Sequence, residues 1–307
     1  MVTKPGMDGT TKAKLMLLGS AFCWGLSWPM QKIALEEFTP WSVRIIGFSV
    51  GAACLFAIII LQGRPFTAPR GRAWGHVFVS GLLNVAAFGL FSTFAQLDAS
   101  TSRVIIINYS MPVWASLMAW LILRERISMN AAIGLALCAL GLTILVYPVA
   151  SVKTPIGLWL ALGCSLSWAA GTIYLKWARI EGDLISMTVW QIFAGLVMLS
   201  IGSLIFQGPP TFHSAELETW LALGFAGFFG NGIGYFLWFS ILGKLPTTTA
   251  SLGALANPVI GVLGSMALIG ETLTLSDMIG FALIGTAALC VLLQRRTPPA
   301  VSVSAKT

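Results

Sequence analysis

Polar residues in this chain fall in short clusters, and apolar stretches of about 20 residues run between them, the length a helix needs to cross ~30 Å of hydrocarbon. Unbroken runs of this kind predict helices and not the alternating strands of a barrel. The pattern places spans near 14–35, 40–62, 73–96, 101–123, 128–148, 155–178, 184–206, 217–242, 246–269 and 275–294. The breaks carry charge or Gly/Pro punctuation, as at Glu36-Glu37, Arg124-Glu125-Arg126, Gly208-Pro209-Pro210 and Lys244-Leu245-Pro246.

Composition fixes the solvent. The chain is 57% hydrophobic and 9% charged, against about 25% charged in soluble domains, so a water-facing surface cannot be built from it. The net charge of +7 does not point to nucleic acid, because the basic residues are spread over the loops between spans. With the N-terminus in the cytoplasm, the basic loops around Arg64, Arg70, Arg72, Arg124, Arg126, Lys176, Arg179 and Lys244 lie inside. Only Arg103 and Lys153 then fall in outside loops, with Lys32 and Arg44 near the outer ends of their spans. Both termini are therefore expected in the cytoplasm. Cys23, Cys54, Cys138, Cys164 and Cys290 all fall inside spans without a CxxC pair and are read as reduced packing residues.

The chain also repeats itself. A shift of 146 residues superposes Trp74 on Trp220, Gly81 on Gly227, Thr101 on Thr247, Pro112 on Pro258 and Glu125 on Glu271. A shift of 144 brings Gly19, Trp24, Lys32 and Ala34 onto Gly163, Trp168, Lys176 and Ala178. Two homologous halves follow: 14–148 and 155–294, joined by a linker at 149–154 and flanked by cytoplasmic tails 1–13 and 295–307. The mid-chain copy of the first span argues that the first span is a permanent helix and not a cleaved signal peptide. An odd number of spans per half inverts the second copy, and loop charge agrees. The basic 63–72 loop is matched by a loop with His213, Glu216 and Glu218. The fold expected is an all-α membrane protein of ten transmembrane helices in two inverted five-helix repeats, an arrangement that recurs in transporters.

The segments Gly19 to Ala34 and Tyr109 to Ser128, with their second copies around Trp168, Pro258 and Glu271, resemble the EamA family of the drug/metabolite transporter superfamily. The resemblance covers nearly the whole chain. It implies a bacterial inner-membrane carrier working by alternating access, most often outward, on amino acids, drugs or related metabolites. A metabolite exchanger or channel-like facilitator is the alternative. The expected partners are a small-molecule substrate and the lipid bilayer, with no nucleic acid, and the chain is expected to work as a monomer, a dimer being the alternative.

Site candidates are polar or aromatic groups that would be costly against lipid. Asn84, Phe88 and Phe91 stand at i, i+4 and i+7 in span three, and Asn231, Tyr235 and Trp238 repeat that spacing in span eight, at a shift of 147. Both sets could instead be packing residues. Trp24, Ser27 and Gln31 in span one face Trp168 and Thr172 in span six. Both tryptophans lie too deep for the interfacial belt and need an indole N–H partner, which a ligand or a neighbouring helix could supply. Pro112 and Pro258 are expected to interrupt spans four and nine as hinges, with Asn108 and Asn257 on the same segments. The expected substrate-binding set is Trp24, Ser27, Asn84, Phe88, Asn108, Trp168, Thr172, Asn231, Tyr235 and Trp238. The GxxxG spacings Gly47 to Gly51 and Gly230 to Gly234 are read as close-packing faces, and Glu125 and Glu271 as loop caps.

Enzyme chemistry lacks its parts. His76 and His213 are predicted on opposite sides of the membrane, and no Walker A motif occurs. No metal or cofactor is expected. No ring of like charge marks a channel, and no soluble domain marks a sensor. All eleven acidic residues lie in loops, tails or helix ends, which predicts facilitated movement or exchange without a buried carboxylate relay.

Overall fold

Hydrocarbon offers no partner to a backbone amide, so a chain this apolar satisfies its backbone internally. The computed structural model describes residues 9–125, 127–150, 156–180, 182–208, 215–241 and 255–293, and their regular structure is helical. The helices are α1 Gly9–Ala34, α2 Pro40–Leu61, α3 Ala73–Asp98, α4 Thr101–Leu123 and α5 Met129–Ala150. After these come α6 Ile156–Ala178, α7 Leu184–Phe206, α8 Leu217–Ile241, α9 Ala256–Ile269 and α10 Leu275–Leu292. Eight of them, all but α1 and α9, are long and apolar enough to cross a membrane. The predicted start of span nine, from 246 to 254, lies outside the described residues. Exposed Ile60, Leu121, Phe206 and Leu221 form part of an apolar exterior suited to lipid.

Packing follows an approximate two-fold pattern. α1 packs on α8 and α9, and its counterpart α6 packs on α3 and α4. In the same way α2 meets α8, α7 meets α3, α2 meets α7 and α5 meets α10. Direction is fixed by end contacts. Lys32, at the C-terminal end of α1, donates to the Gln96 carbonyl at 2.6 Å, while Asp98 accepts from the amide of Gly157, at the N-terminal end of α6, at 2.8 Å. The equivalent helices α1 and α6 therefore run in opposite directions.

Small residues set the closeness of these contacts, because dispersion across a tight interface replaces the hydrophobic drive that lipid removes. A Cβ on Gly227 would stand 2.9 Å from the Gly47 carbonyl, and one on Gly81 would stand 2.7 Å from the carbonyl of Gln191, which lies 144 residues after Gly47. The second GxxxG face receives α1: Gly230 lies against Ser27 and Gly234 against the Trp24 indole.

Two expectations about helix interiors change. α3 and α8 each widen into a π-helical segment, Leu82–Ala87 and Ala226–Ile233, holding Asn84 and Asn231 respectively. A π turn takes in an extra residue without ending the helix, and the change of shift from 146 to 147 opens within these segments. In α4 the break lies before the proline, at Tyr109 and Ser110, dividing Thr101–Asn108 from Met111–Leu123. Pro112 thus opens a new helix, where its missing N–H has no consequence, and Pro258 likewise sits in the first turn of α9.

The end of the molecule near Ala34 is tied by charge. Glu271 accepts from the backbone amides of Thr101 at 2.5 Å and Ser102 at 2.8 Å, and from the Ser102 hydroxyl, capping the first turn of α4 as a carboxylate should. Arg103 pairs with buried Asp277 at 2.5 Å, and Asp277 completes a capping box with Thr274. At the opposite end Glu125 pairs with Lys176, and Arg64 pairs with Asp183 at 2.5 Å.

Candidate functional site

A cavity of about 550 Å³ lies between the halves, lined by α1, α2, α3, α4, α6, α7, α8 and α9 together with residues of the turn before α7. It runs from Gln31 and Arg44 toward Ile180 and Leu184, and exposed Thr172 lies on its wall. All ten residues expected to bind substrate line it: Trp24, Ser27, Asn84, Phe88, Asn108, Trp168, Thr172, Asn231, Tyr235 and Trp238. The hinge candidates Pro112 and Pro258 are not on the wall, although each neighbours a lining residue, Met111 and Asn257.

The aromatic side chains form one continuous wall. Trp24 stands edge-on to Tyr235 at 5.6 Å and tilted to Trp238 at 5.7 Å. Tyr235 continues to Trp168 at 6.4 Å, Trp168 to Phe88 at 4.9 Å, and Phe88 to Trp28 at 6.4 Å. Each half thus contributes part of a surface that can take the flat face of a ligand.

The two deep tryptophans differ in how their indoles are satisfied. Trp24 donates to the Gly230 carbonyl at 3.1 Å, so a helix and not a ligand answers its N–H. Trp168 makes no hydrogen bond through its indole to a described residue. Ser27 and Thr172 spend their protons on carbonyls of their own helices, at Trp24 and Trp168, and keep lone pairs for acceptance. Phe91, the third member of the span-three pattern, turns from the cavity to pack on Gly163, while its counterpart Trp238 stays on the wall.

Three asparagines on the wall hold buried, unpartnered oxygens. Asn84, Asn108 and Asn257 are at most 8% exposed, and their Oδ1 atoms have no hydrogen-bond partner among the described residues. Asn84 is pressed against Gly171 of α6, where an added Cβ would fall 1.8 Å from its Oδ1. These oxygens are shielded from the cavity space, Asn84 Oδ1 being turned to Gly171, and an unsatisfied buried acceptor costs about 1–3 kcal/mol.

Sequence reasoning left Trp28, Tyr109, Gln191 and Asn257 out of the set, and it placed Arg44 at the outer end of its span. All five line the cavity. Trp28 could have been found, standing one turn beyond Trp24 on the same face. Among the described residues, none that lines the cavity is acidic, and they hold no cluster of metal-ligating side chains.

Antiparallel equivalent helices around a shared, aromatic-walled cavity define an inverted-repeat membrane transport fold. The comparisons agree. The EamA-like transporter family matches residues 11–147 and again 155–293, and the chain belongs to that family. An uncharacterized transporter YoaV of Bacillus subtilis is 22% identical, over 89% of this chain and 94% of its own length. A probable amino-acid metabolite efflux pump of Escherichia coli is 25% identical, over 86% and 89%. A solved crystal structure superposes with a TM-score of 0.65 at 18% identity, covering 93% of this chain and 99% of the other, which shows a shared fold.

Proposed function

We propose that this multi-pass membrane protein is an alternating-access carrier exporting a small aromatic or amphipathic metabolite, such as an amino acid or a drug-like compound. The observation that carries the reading is the aromatic wall from Trp238 to Trp28, built from both halves of a cavity that Asn84, Asn108 and Asn231 also line. A largely apolar cavity with a few oriented polar groups suits a ligand with a flat apolar body. The Escherichia coli relative, named for amino-acid metabolite efflux, supports the same class of cargo and the outward direction.

Access from one side at a time is supported by asymmetry between the ends. Glu271, Arg103 and Asp277 clamp α4, α10 and the loop between α9 and α10 beyond Gln31 and Arg44, while the cavity extends toward Leu184. With the termini and the Arg64 end in the cytoplasm, the clamped end is the outer gate and the cavity faces inward. Exchange of the two arrangements would pivot near the helix break at Tyr109 and at Pro112 and Pro258. The described lining residues include no carboxylate, which favours facilitated movement or exchange over a carboxylate proton relay.

Counterflow in proteoliposomes tests this directly, because trans-acceleration requires a site that alternates between the two sides. Loaded with an unlabelled compound from a panel of amino acids, nucleosides and amphipathic drugs, the vesicles are expected to accumulate label for aromatic members without an imposed pH gradient. Flux without trans-acceleration would indicate a channel-like facilitator, and counterflow of nucleosides alone would overturn the cargo class.

A further inference from the structure

Arg44 is the feature of the cavity that the reading above does not use. It is 3% exposed, on the wall, and belongs to one half only, since position 188, 144 residues later, is Thr. Its Nε donates to the Gly89 carbonyl at 2.8 Å, and its Nη2 donates to Gln31 Oε1 at 2.6 Å and to the Ser92 hydroxyl. The guanidinium carbon lies 5.8 Å from the Phe48 ring centre. These partners are neutral, and Nη1 has no hydrogen-bond partner among the described residues.

A cation at this depth is costly unless an anion or strong acceptors answer it, and an arginine cannot shed its proton as a lysine can. Lys32 on the neighbouring helix shows the contrasting case: its ammonium is engaged by the Gln96 carbonyl, and it is not on the cavity wall. Arg44 is held rigidly by three neutral acceptors, keeps donors in reserve, and faces a cavity whose described lining residues include no carboxylate.

We infer that Arg44 is a carboxylate-binding subsite of the cavity, so that the cargo carries an anionic head at the Arg44 end and an aromatic body on the Trp24 to Trp168 wall. The inference rests on the aromatic-carrier reading above and adds the charge of the head group. Spacing agrees: Gln31, which touches Arg44, stands two helical turns from Trp24, roughly 10 Å along α1. An indole or phenyl ring joined to a carboxylate by two or three carbons spans a comparable length. Arg44 is the one charged side chain among the described lining residues, which makes it the place for a carboxylate.

The test is equilibrium dialysis of the purified protein in detergent against labelled indole-3-propionate, its neutral amide indole-3-propionamide, and the cation tryptamine. The wild type is expected to bind the acid at least tenfold more tightly than the amide, with tryptamine weakest of the three, a charge-assisted hydrogen bond being worth about ten- to a hundredfold. Arg44→Gln is expected to abolish the acid-over-amide preference while changing amide binding less than threefold, and Arg44→Lys to retain part of it. The wild-type comparison needs no variant, so a poorly folded Arg44→Gln does not remove the test. Equal binding of acid and amide by the wild type would overturn the subsite and leave the aromatic reading standing. Binding of none of the three would overturn both.

Discussion

Asp277→Ala is expected to lower the unfolding free energy by about 3 kcal/mol, the largest loss of stability from any single charged side chain at the Ala34 end. Asp277 is 3% exposed and serves two helices at once. It receives the Arg103 guanidinium at 2.5 Å, tying α4 to α10, and it accepts from the amide and hydroxyl of Thr274 at 2.9 and 2.7 Å, capping α10. Breaking a buried pair by removing one partner costs about 3–5 kcal/mol, which must be discounted here because the Arg103 side chain keeps 19% exposure and can rehydrate. Loss of the cap adds about 1 kcal/mol. Thermal unfolding in detergent, followed by tryptophan fluorescence, should show a fall of at least about 5 °C. Asp277→Asn, which can still cap, should lose less, and the Arg103→Ala, Asp277→Ala pair should lose less than the two single losses added. A midpoint within 1 °C of wild type for Asp277→Ala would show that the clamp contributes nothing.

Trp168→Ala is expected to weaken binding of an aromatic cargo several-fold to a hundredfold. An aromatic contact is worth about 1 kcal/mol beyond its area, and the buried surface adds about 1–2 kcal/mol more. Trp168 meets Phe88 and Tyr235 on the wall, and its indole makes no hydrogen bond to a described residue, so its removal should fall mainly on the ligand. Trp24 is the useful contrast. Its indole is bonded to Gly230 and wedged on Gly234, so Trp24→Ala should lower the melting midpoint as well as affinity. A monodisperse Trp168→Ala protein with unchanged affinity would return that residue to packing.

What was legible in the sequence depended on whether the signal was local or repeated. Span lengths are local, because a helix in hydrocarbon must be apolar over its whole crossing. The inverted halves are repeated, and so is the Asn–aromatic spacing of α3 and α8, which is why Asn84, Phe88, Asn231, Tyr235 and Trp238 could be singled out. Residues without a repeat signal were missed. Position 172, the counterpart of Trp28, is Thr, and position 47, the counterpart of Gln191, is Gly, so neither residue has a matching copy. Arg44 reads in sequence as a stray cation near the end of an apolar run, and only the contacts of α2 with α1 and α3 place it on the cavity. The same limit applies to Phe91, whose spacing matches that of Trp238 while its neighbour Gly163 draws it away. The break at Tyr109 and Ser110 could not be placed to the residue, since a proline limits the turn before it without fixing where the chain bends.

The cavity as the transport site is tested most directly at Thr172, an exposed residue on the wall one turn from Trp168. In a background with Cys23, Cys54, Cys138, Cys164 and Cys290 replaced, Thr172→Cys in inside-out vesicles should react with a membrane-impermeant maleimide. A compound that gives counterflow should slow that reaction at least tenfold at saturation, and a compound that does not should leave it unchanged. Labelling at an undiminished rate in the presence of a saturating, transported compound would place the cargo elsewhere and contradict the account.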